Sequence, residues 1–204
     1  MTQKIETIIF DLGGVLVDWN PKYVYNEVFE GDTEKVDWFL NNICTSDWNI
    51  QQDAGKLMSV ATEELVAKYP EYEDWIRLFY DRWEDMLKGD IPETVAILKN
   101  LKASNKYRIY ALTNWSAETF HIALERFDFL QLFEGILVSG AEKMIKPNKD
   151  IYELCLNRFN INPQKAIFID DNEANVLGAE SVGLKAIRFT SAAQLKTDLE
   201  KLSL

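Results

Sequence analysis

Five short apolar runs restrict the fold of this 204-residue chain more than any other feature of its sequence. Each run is rich in Ile, Val, Phe and Tyr, and it is apolar at nearly every position rather than at every second one. Continuous apolarity of this kind is typical of strands that are covered on both faces, as in a parallel sheet. The predicted strands are residues 7–12, 107–113, 135–139, 166–170 and 185–189.

Helix-like segments separate the later runs, at residues 116–126, 150–159 and 173–182. A repeated order of strand, helix and strand implies right-handed crossovers between parallel strands. The sequence therefore predicts an α/β fold with a doubly wound parallel sheet.

Residues 21–87 interrupt this alternation, because they show helical periodicity and no convincing strand. We interpret them as a helical insertion after the first strand. In the link that follows, Gly89 suits a helix end and Pro92 suits the first turn of the next helix. The predicted domains are a core formed by residues 1–17 and 91–204, and a helical cap formed by residues 18–90.

The composition excludes some classes of function. A net charge of −11 argues against non-specific nucleic-acid binding, which depends on basic side chains that displace counterions. An acidic enzyme that acts on phosphates must concentrate positive charge locally, most simply with a metal ion. Cys44 and Cys155 lack metal-ligand spacing, so we expect buried free thiols. Without a signal-peptide pattern or an apolar stretch of membrane-spanning length, the expected location is the cytoplasm, with no membrane partner.

Asp11 follows the first apolar run and leads into Gly13 and Gly14. In open α/β sheets, ligands bind at the carboxyl ends of the strands, where this carboxylate is expected to lie. It can act there as a nucleophile or as a ligand for a hard cation, and the glycines bring the backbone close to a ligand. The alternative is an ordinary turn, since Asp and Gly are common turn residues.

The second predicted strand ends in Thr113 and Asn114, just before a predicted helix. Their polar side chains, together with free N–H groups at the helix start, are suited to hold phosphate oxygens. The alternative is that Asn114 or Ser116 only caps the helix.

Lys146 follows the third predicted strand and precedes Pro147, which favours an extended backbone at the lysine. An ammonium group presented near Asp11 would neutralise the carboxylate and a substrate phosphate, and so stabilise charge in the transition state. Lys143 has no such constraint, and we assign it to the surface.

The fourth predicted strand ends in the adjacent acids Asp170 and Asp171. Clustered carboxylates repel each other unless a cation or a proton compensates them. Mg²⁺ fits this position because it commonly takes one or two carboxylates and a phosphate oxygen. The alternative is a solvated turn.

With Asp11, Thr113, Lys146 and the pair Asp170-Asp171 in this order, the chain resembles the haloacid dehalogenase superfamily of aspartate-nucleophile hydrolases. The resemblance covers essentially the whole chain, and it is strongest with small capped phosphatases such as the bacterial α-glucose-1-phosphate phosphatases. It implies a Rossmann-like core with an inserted helical cap. It also implies magnesium-dependent hydrolysis of small phosphate monoesters.

The resemblance further implies roles for individual residues. Asp11 would attack phosphorus and form an aspartyl-phosphate. The Gly13 carbonyl and Asp171 would bind magnesium together with Asp11, while Asp170 would support the metal directly or through water. Thr113, Asn114 and the Gly13 turn would bind the phosphoryl group, Lys146 would offset its charge, and Asn172 and Asn175 would lie around the site.

Gly13 departs from the commonest family pattern, in which an aspartate there protonates the leaving group and then activates water. Glycine keeps the backbone carbonyl but cannot transfer a proton, a loss that typically lowers rates by on the order of 10²–10⁴. An easily displaced leaving group, such as the anomeric oxygen of glucose 1-phosphate, would reduce this need. We therefore predict sugar phosphates as substrates, with no residue assigned as the base.

Residues 46–55 contribute a further candidate site in the predicted cap. A sugar could stack on Trp48 and hydrogen bond to Asn49, Gln52 or Asp53. The alternative is an ordinary helix link in which Trp48 is buried.

Other functions remain open from the sequence. A 2-haloacid dehalogenase would use Asp11 to attack carbon, but the pair Asp170-Asp171 would repel its anionic substrate. A weakly active or regulatory member of the fold is a second alternative, because Gly13 replaces the usual acid and base. A phosphomutase is disfavoured for the same reason. The sequence does not indicate an oligomeric state.

Overall fold

The computed structural model describes residues 4–202 and 204. Within these residues, five strands form a parallel sheet in the order β5-β4-β1-β6-β7, and two more form a small antiparallel ribbon. All five strands predicted from the apolar runs are present, and the α/β fold class is confirmed. The strands are β1 (Thr7–Phe10), β2 (Val17–Trp19), β3 (Leu87–Asp90), β4 (Arg108–Thr113), β5 (Gly135–Val138), β6 (Ala166–Asp170) and β7 (Lys185–Arg188).

The helices cover both faces of the sheet or lie in the segment between β1 and β4. They are α1 (Lys22–Val28), α2 (Thr33–Asn42), α3 (Ser46–Asp53), α4 (Met58–Lys68), α5 (Glu73–Asp81), α6 (Pro92–Ala103), α7 (Phe120–Arg126), α8 (Ser139–Glu142), α9 (Lys149–Arg158), α10 (Glu173–Glu180) and α11 (Ala192–Lys201). Short 3-10 turns occupy Pro70–Tyr72, Trp83–Met86, Asp128–Leu132 and Pro163–Lys165.

β1 lies at the centre of the sheet, with β4 on one side and β6 on the other. Its alternate side chains enter different cores: Ile8 and Phe10 pack on the side of α6 and α11, while Ile9 packs on the side of α9 and α10. All three side chains are fully buried. Coverage of both faces is the physical reason why the strand is apolar throughout.

The helices α1–α5, which we call the helical insertion, have a separate apolar cluster. Its most buried members are aromatic or long aliphatic side chains, among them Tyr25, Phe39, Ile76 and Phe79. The periodicity that predicted helices in this part of the chain therefore reflects burial of one helix face.

The β2–β3 ribbon lies where the chain leaves and re-enters the sheet domain, and the sequence did not predict it. Val17 pairs with Asp90, and Asp18 pairs with Gly89. Gly89 is therefore a strand residue, and its prediction as a helix end was wrong. Pro92 does begin α6, as predicted.

The helix predicted to start at Ser116 begins later, at Phe120. The Ser116 hydroxyl accepts a hydrogen bond from the Glu118 N–H (3.2 Å), which favours a turn over residues 116–119. Cys44 and Cys155 are buried free thiols, as expected. No helix among the described residues combines the length and the apolarity needed to cross a membrane.

Candidate active site

Asp11 lies directly after β1, in a turn that the backbone closes tightly. Its own N–H donates to the Ile169 carbonyl (2.8 Å), and its carboxylate accepts from the Leu12 N–H (2.8 Å). The following residues fold back, since the Val17 N–H donates to the Leu12 carbonyl (2.8 Å). These bonds fix the carboxylate at the carboxyl edge of the sheet, where it is 7% exposed as a residue.

Lys146 lies between two carboxylates and is completely buried. Its Nζ is 2.9 Å from Asp11 Oδ1 and 2.7 Å from Asp170 Oδ2. Burial alone would lower the pKa of Lys146, but the two neighbouring carboxylates outweigh that effect and raise it. The ammonium group therefore stays charged and joins the ends of β1 and β6. Lys143, in contrast, is exposed.

Asp170 is held by donors other than Lys146. The Asn172 N–H donates to Oδ1 (2.8 Å), and the Asn175 side-chain amide lies 3.0 and 3.1 Å from the two carboxylate oxygens. These contacts satisfy a fully buried charge and fix its orientation. The two asparagines thus lie around the site, as the resemblance implies.

Asn114 contacts the backbone of Lys146 at both ends of its amide. Its Oδ1 accepts from the Lys146 N–H (2.9 Å), and its Nδ2 donates to the Lys146 carbonyl (3.0 Å). Its role in phosphate binding stays a prediction, and these two bonds give Asn114 a structural role. It fixes the segment that presents the lysine.

Thr113, the last residue of β4, has a fully buried hydroxyl. Within residues 4–202 and 204, no partner for its Oγ1 is found. A buried polar group without a partner is unfavourable unless a ligand or water supplies one. Thr113 is therefore suited to bind an oxygen-rich ligand, as predicted.

Three carboxylates meet at this edge of the sheet: one oxygen each from Asp11, Asp170 and Asp171 lies within 4.8 Å of the others. Burial, and then the neighbouring Asp170, raise the pKa of Asp171. Burial likewise raises the pKa of Asp11 to about 7, although Lys146 partly offsets this effect. Such crowding is relieved by a hard divalent cation with oxygen ligands, and the donor set fits Mg²⁺.

Gly13 and Gly14 differ in whether the backbone requires a glycine. Gly14 has φ +73°, and a Cβ there would lie 2.4 Å from Asp171 Oδ2, so this position requires glycine. Gly13 lies outside the left-handed region, and an added Cβ would meet nothing within 4 Å. In the described part of the chain, no donor bonds to the Gly13 carbonyl, which leaves it available to a cation.

A cleft between the helical insertion and the sheet edge opens onto these residues. It consists of two adjoining cavities of about 70 and 320 Å³ that share Trp19, Asn49, Asp53 and Asn114 as lining residues. The smaller cavity reaches Gly13 and has an aromatic wall, whereas the larger one reaches Asp171. The sequence did not identify that wall, because its residues come from three separate parts of the chain. The aromatic members are Trp19 on β2, Trp83 after α5 and Trp115 after β4, and Met58 lines the same cavity.

Trp48 lies outside this cleft, so its position does not support the predicted stacking on a sugar. Residues Ser46–Asp53 form the helix α3, and Trp48 faces the core of the insertion, 7% exposed. Its Nε1 donates to the Ala61 carbonyl (3.2 Å), and its ring packs edge-to-face on Phe79 at 5.1 Å. Its burial favours the alternative, a structural tryptophan.

Asp53, at the end of α3, does line the cleft. Its carboxylate lies near the Ser116 backbone N–H, and its carbonyl accepts a hydrogen bond from the Ser139 hydroxyl (2.6 Å). Partial burial raises the pKa of Asp53 to about 7, although the nearby Ser116 N–H and the charge of Lys146 oppose this effect. The sequence did not single out Ser139, whose hydroxyl also accepts from the Trp115 N–H (2.9 Å).

This architecture is an α/β core with a parallel sheet, in which an aspartate at the end of the first strand meets a buried lysine and two further acids. Residues 5–183 match the family model for haloacid dehalogenase-like hydrolases. The chain belongs to this family, which confirms the resemblance to the haloacid dehalogenase superfamily.

Known relatives include several phosphatases. A sesquiterpene phosphatase of Aspergillus oryzae is 29% identical over 99% of this chain and 98% of its own length. A phosphorylated carbohydrates phosphatase of Thermotoga maritima is 23% identical over 90% of this chain and 84% of its own. Among solved structures, a family enzyme of Bacteroides thetaiotaomicron in complex with magnesium and inorganic phosphate is 21% identical. It superposes with a TM-score of 0.65 over 91% of this chain and 94% of that one.

Proposed function

We propose that this protein is a magnesium-dependent phosphatase of small phosphate monoesters that works through an aspartyl-phosphate on Asp11. The observation that carries the proposal is the placement of Asp11 beside Lys146, at 2.9 Å, within a cluster of three carboxylates. The phosphatase names of two relatives that match most of the chain support the same reaction class.

In the proposed reaction, a carboxylate oxygen of Asp11 attacks the substrate phosphorus, and the bond from phosphorus to the ester oxygen breaks. Water then attacks the phosphorus of the aspartyl-phosphate, which releases phosphate and restores Asp11. Lys146 offsets negative charge on the transferring group. The unpartnered Thr113 hydroxyl donates to one of its oxygens.

Magnesium would be held by Asp11, Asp171 and the Gly13 carbonyl, with Asp170 in support. When bound, the ion supplies positive charge that compensates the three carboxylates and the incoming phosphate. The magnesium complex of the Bacteroides relative, which has the same fold, supports this choice of metal.

We further propose the domain division predicted from the sequence, with residues 18–90 as a cap over a core of residues 1–17 and 91–204. The separate apolar cluster of the insertion and the position of the cleft beneath it support this division. A cap of this kind selects substrates by the shape and polarity of the side chains that it turns toward the catalytic edge. A cytoplasmic location stays a prediction.

Sugar phosphates such as glucose 1-phosphate are the first candidate substrates. Asn49 and Asp53 give the cleft polar side chains that suit hydroxyl groups, and the Thermotoga relative is named for phosphorylated carbohydrates. We expect sugar 1-phosphates to be hydrolysed faster than simple alkyl phosphates, and equal rates would remove the support for this class.

A phosphate ester of an apolar alcohol is the second candidate. The wall formed by Trp19, Trp83 and Trp115 would bury an apolar chain beside Gly13, and the Aspergillus relative is named as a sesquiterpene phosphatase. Higher kcat/KM for farnesyl phosphate than for glucose 1-phosphate would favour this candidate.

The test is a phosphate-release screen over a broad substrate panel, with magnesium and with a chelator, on the wild type and on Asp11→Asn. We expect turnover that requires magnesium and that the folded Asp11→Asn variant lacks. Failure to hydrolyse any ester would favour a non-catalytic or regulatory member of the family. Halide release from 2-chloropropionate in the presence of the chelator would favour a dehalogenase.

A further inference from the structure

The turn after Asp11 has an open space where a proton-transferring side chain would be expected. A Cβ built on Gly13 meets nothing within 4 Å, and the left-handed geometry that constrains Gly14 does not apply to Gly13. The fold therefore does not require glycine at this position. Hydrolysis of an ester through an aspartyl-phosphate still needs a proton for the leaving alcohol and a base for the attacking water.

Asp53 lines the same cleft from the helical insertion. It lines the cavity that reaches Gly13 and also the one that reaches Asp171. Among the described residues that line these cavities, Asp53 and Asp171 are the carboxylates. Asp171 belongs to the candidate metal site, so Asp53 is the acid on these walls that remains free for proton transfer.

Several contacts hold the segment that carries Asp53 against the sheet domain. The Ser139 hydroxyl donates to the Asp53 carbonyl (2.6 Å), and the Ser116 backbone N–H lies near the Asp53 carboxylate. Gly55 follows at φ +92°, where an added Cβ would lie 3.0 Å from the Gly140 carbonyl oxygen. The Met58 N–H then donates to the Glu118 carboxylate (2.7 Å). The helical insertion thus delivers this carboxylate in a fixed position.

The surroundings of Asp53 suit a group that both gives and takes a proton. The positive charge of Lys146, on the sheet side, stabilises the ionised form of Asp53, and Tyr80 lies near Asp53 on α5. Glu118 and Lys143 contact the residues that follow it, and Asp171 lies across the larger cavity. Partial removal from water raises its pKa to about 7, which is near the value that favours proton transfer at neutral pH.

We infer that Asp53 is the general acid and base of this enzyme, supplied by the helical insertion in place of the side chain missing at Gly13. The inference rests on the proposed phosphatase function. In the first step, Asp11 bonds to phosphorus, the phosphorus–ester oxygen bond breaks, and the departing oxygen takes the proton of Asp53. In the second step, ionised Asp53 takes a proton from water while the water oxygen bonds to phosphorus, and the bond between phosphorus and Asp11 breaks. Phosphate and the alcohol are released, and Asp53 is protonated again.

The test compares Asp53→Asn with the wild type on two substrates that differ in leaving group. Asparagine keeps the size of the side chain and an oxygen acceptor but cannot transfer the proton. With an alkyl phosphate, we expect the first step to slow by on the order of 10²–10⁴. With 4-nitrophenyl phosphate, whose leaving group needs no proton, we expect a burst of about one equivalent of nitrophenolate, followed by slow turnover of an accumulated aspartyl-phosphate.

The matched control is Asp47→Asn, because Asp47 is an exposed acid on the same helix that lies outside the cleft. It should behave as the wild type with both substrates. Equal slowing of both substrates by Asp53→Asn without a burst, or no slowing, would overturn the inference and leave the phosphatase function intact. If the wild type releases no phosphate from any ester, the proposed function fails and this inference fails with it.

Discussion

Replacing Lys146 by methionine tests the electrostatic arrangement at the centre of the site. Methionine keeps much of the aliphatic volume but removes the ammonium group that lies 2.9 Å from Asp11 and 2.7 Å from Asp170. Lys146 and the Asp170 side chain are both 0% exposed, so water cannot replace the lost charge. Two carboxylates would then face each other without a cation.

The size of the effect follows from that burial. Removing one partner of a buried ion pair typically lowers the free energy of unfolding by about 3–5 kcal/mol, because the remaining charge is left uncompensated. Lys146 forms ion pairs with two carboxylates, so we expect Lys146→Met to lower the free energy of unfolding by at least about 3 kcal/mol in metal-free buffer. Turnover should be lost as well, since the transferring phosphoryl group loses its positive neighbour.

The assay is denaturant unfolding of the wild type and the variant in the presence of a chelator. Lys143→Met is the matched control, because Lys143 is exposed in the same segment and should change stability by no more than about 0.5 kcal/mol. Exposed ion pairs contribute at most about 1 kcal/mol to the free energy of unfolding. A loss no larger than that for Lys146→Met would refute the reasoning.

Three further results are expected. Gly14→Ala should lower the free energy of unfolding by about 1–3 kcal/mol and weaken magnesium binding, because its Cβ would meet Asp171. Gly13→Ala should change the free energy of unfolding by no more than about 0.5 kcal/mol, and equal losses for the two variants in calorimetry would contradict this. The stability of the metal-free wild type relative to Asp53→Asn should fall by about 4 kcal/mol as the pH rises from about 4 to 8. The reason is that folding raises the pKa of Asp53 from 3.8 to about 7, so ionisation of this group opposes folding. The same dependence of stability on pH in both proteins would contradict this. Trp48→Ala should cost about 3–5 kcal/mol in denaturant unfolding while KM stays near the wild-type value, and a large rise in KM at unchanged stability would restore a substrate role.

The strands and the central acids were predictable because each depends on local sequence and on one topological rule. A strand covered on both faces must be apolar throughout, and parallel strands end at one edge of the sheet. Asp11 and Asp170 were therefore expected at one edge, where they follow or end the neighbouring strands β1 and β6. The contact of Lys146 with both acids does not follow from this rule, because Lys146 lies beyond α8, after the edge strand β5, and β4 separates β5 from β1.

The features of the fold and the site that were not predicted depend on contacts that sequence patterns do not encode. The β2–β3 ribbon joins Val17 to Asp90, and neither strand shows a pattern of its own. Trp48 and Asp53 are five residues apart on α3, so they point about 140° apart around the helix. Periodicity alone did not show which of those two faces meets the cleft. The amide of Asn114 found its partner in the backbone of Lys146, across the sheet edge.

Acid quenching of the wild type during turnover of a substrate labelled in its phosphoryl group tests the central claim most directly. The account predicts a covalent phosphoryl group on the peptide that contains Asp11, and its absence from Asp11→Asn. Label on any other residue, or undiminished phosphate release by Asp11→Asn, would contradict the assignment of Asp11 as the nucleophile.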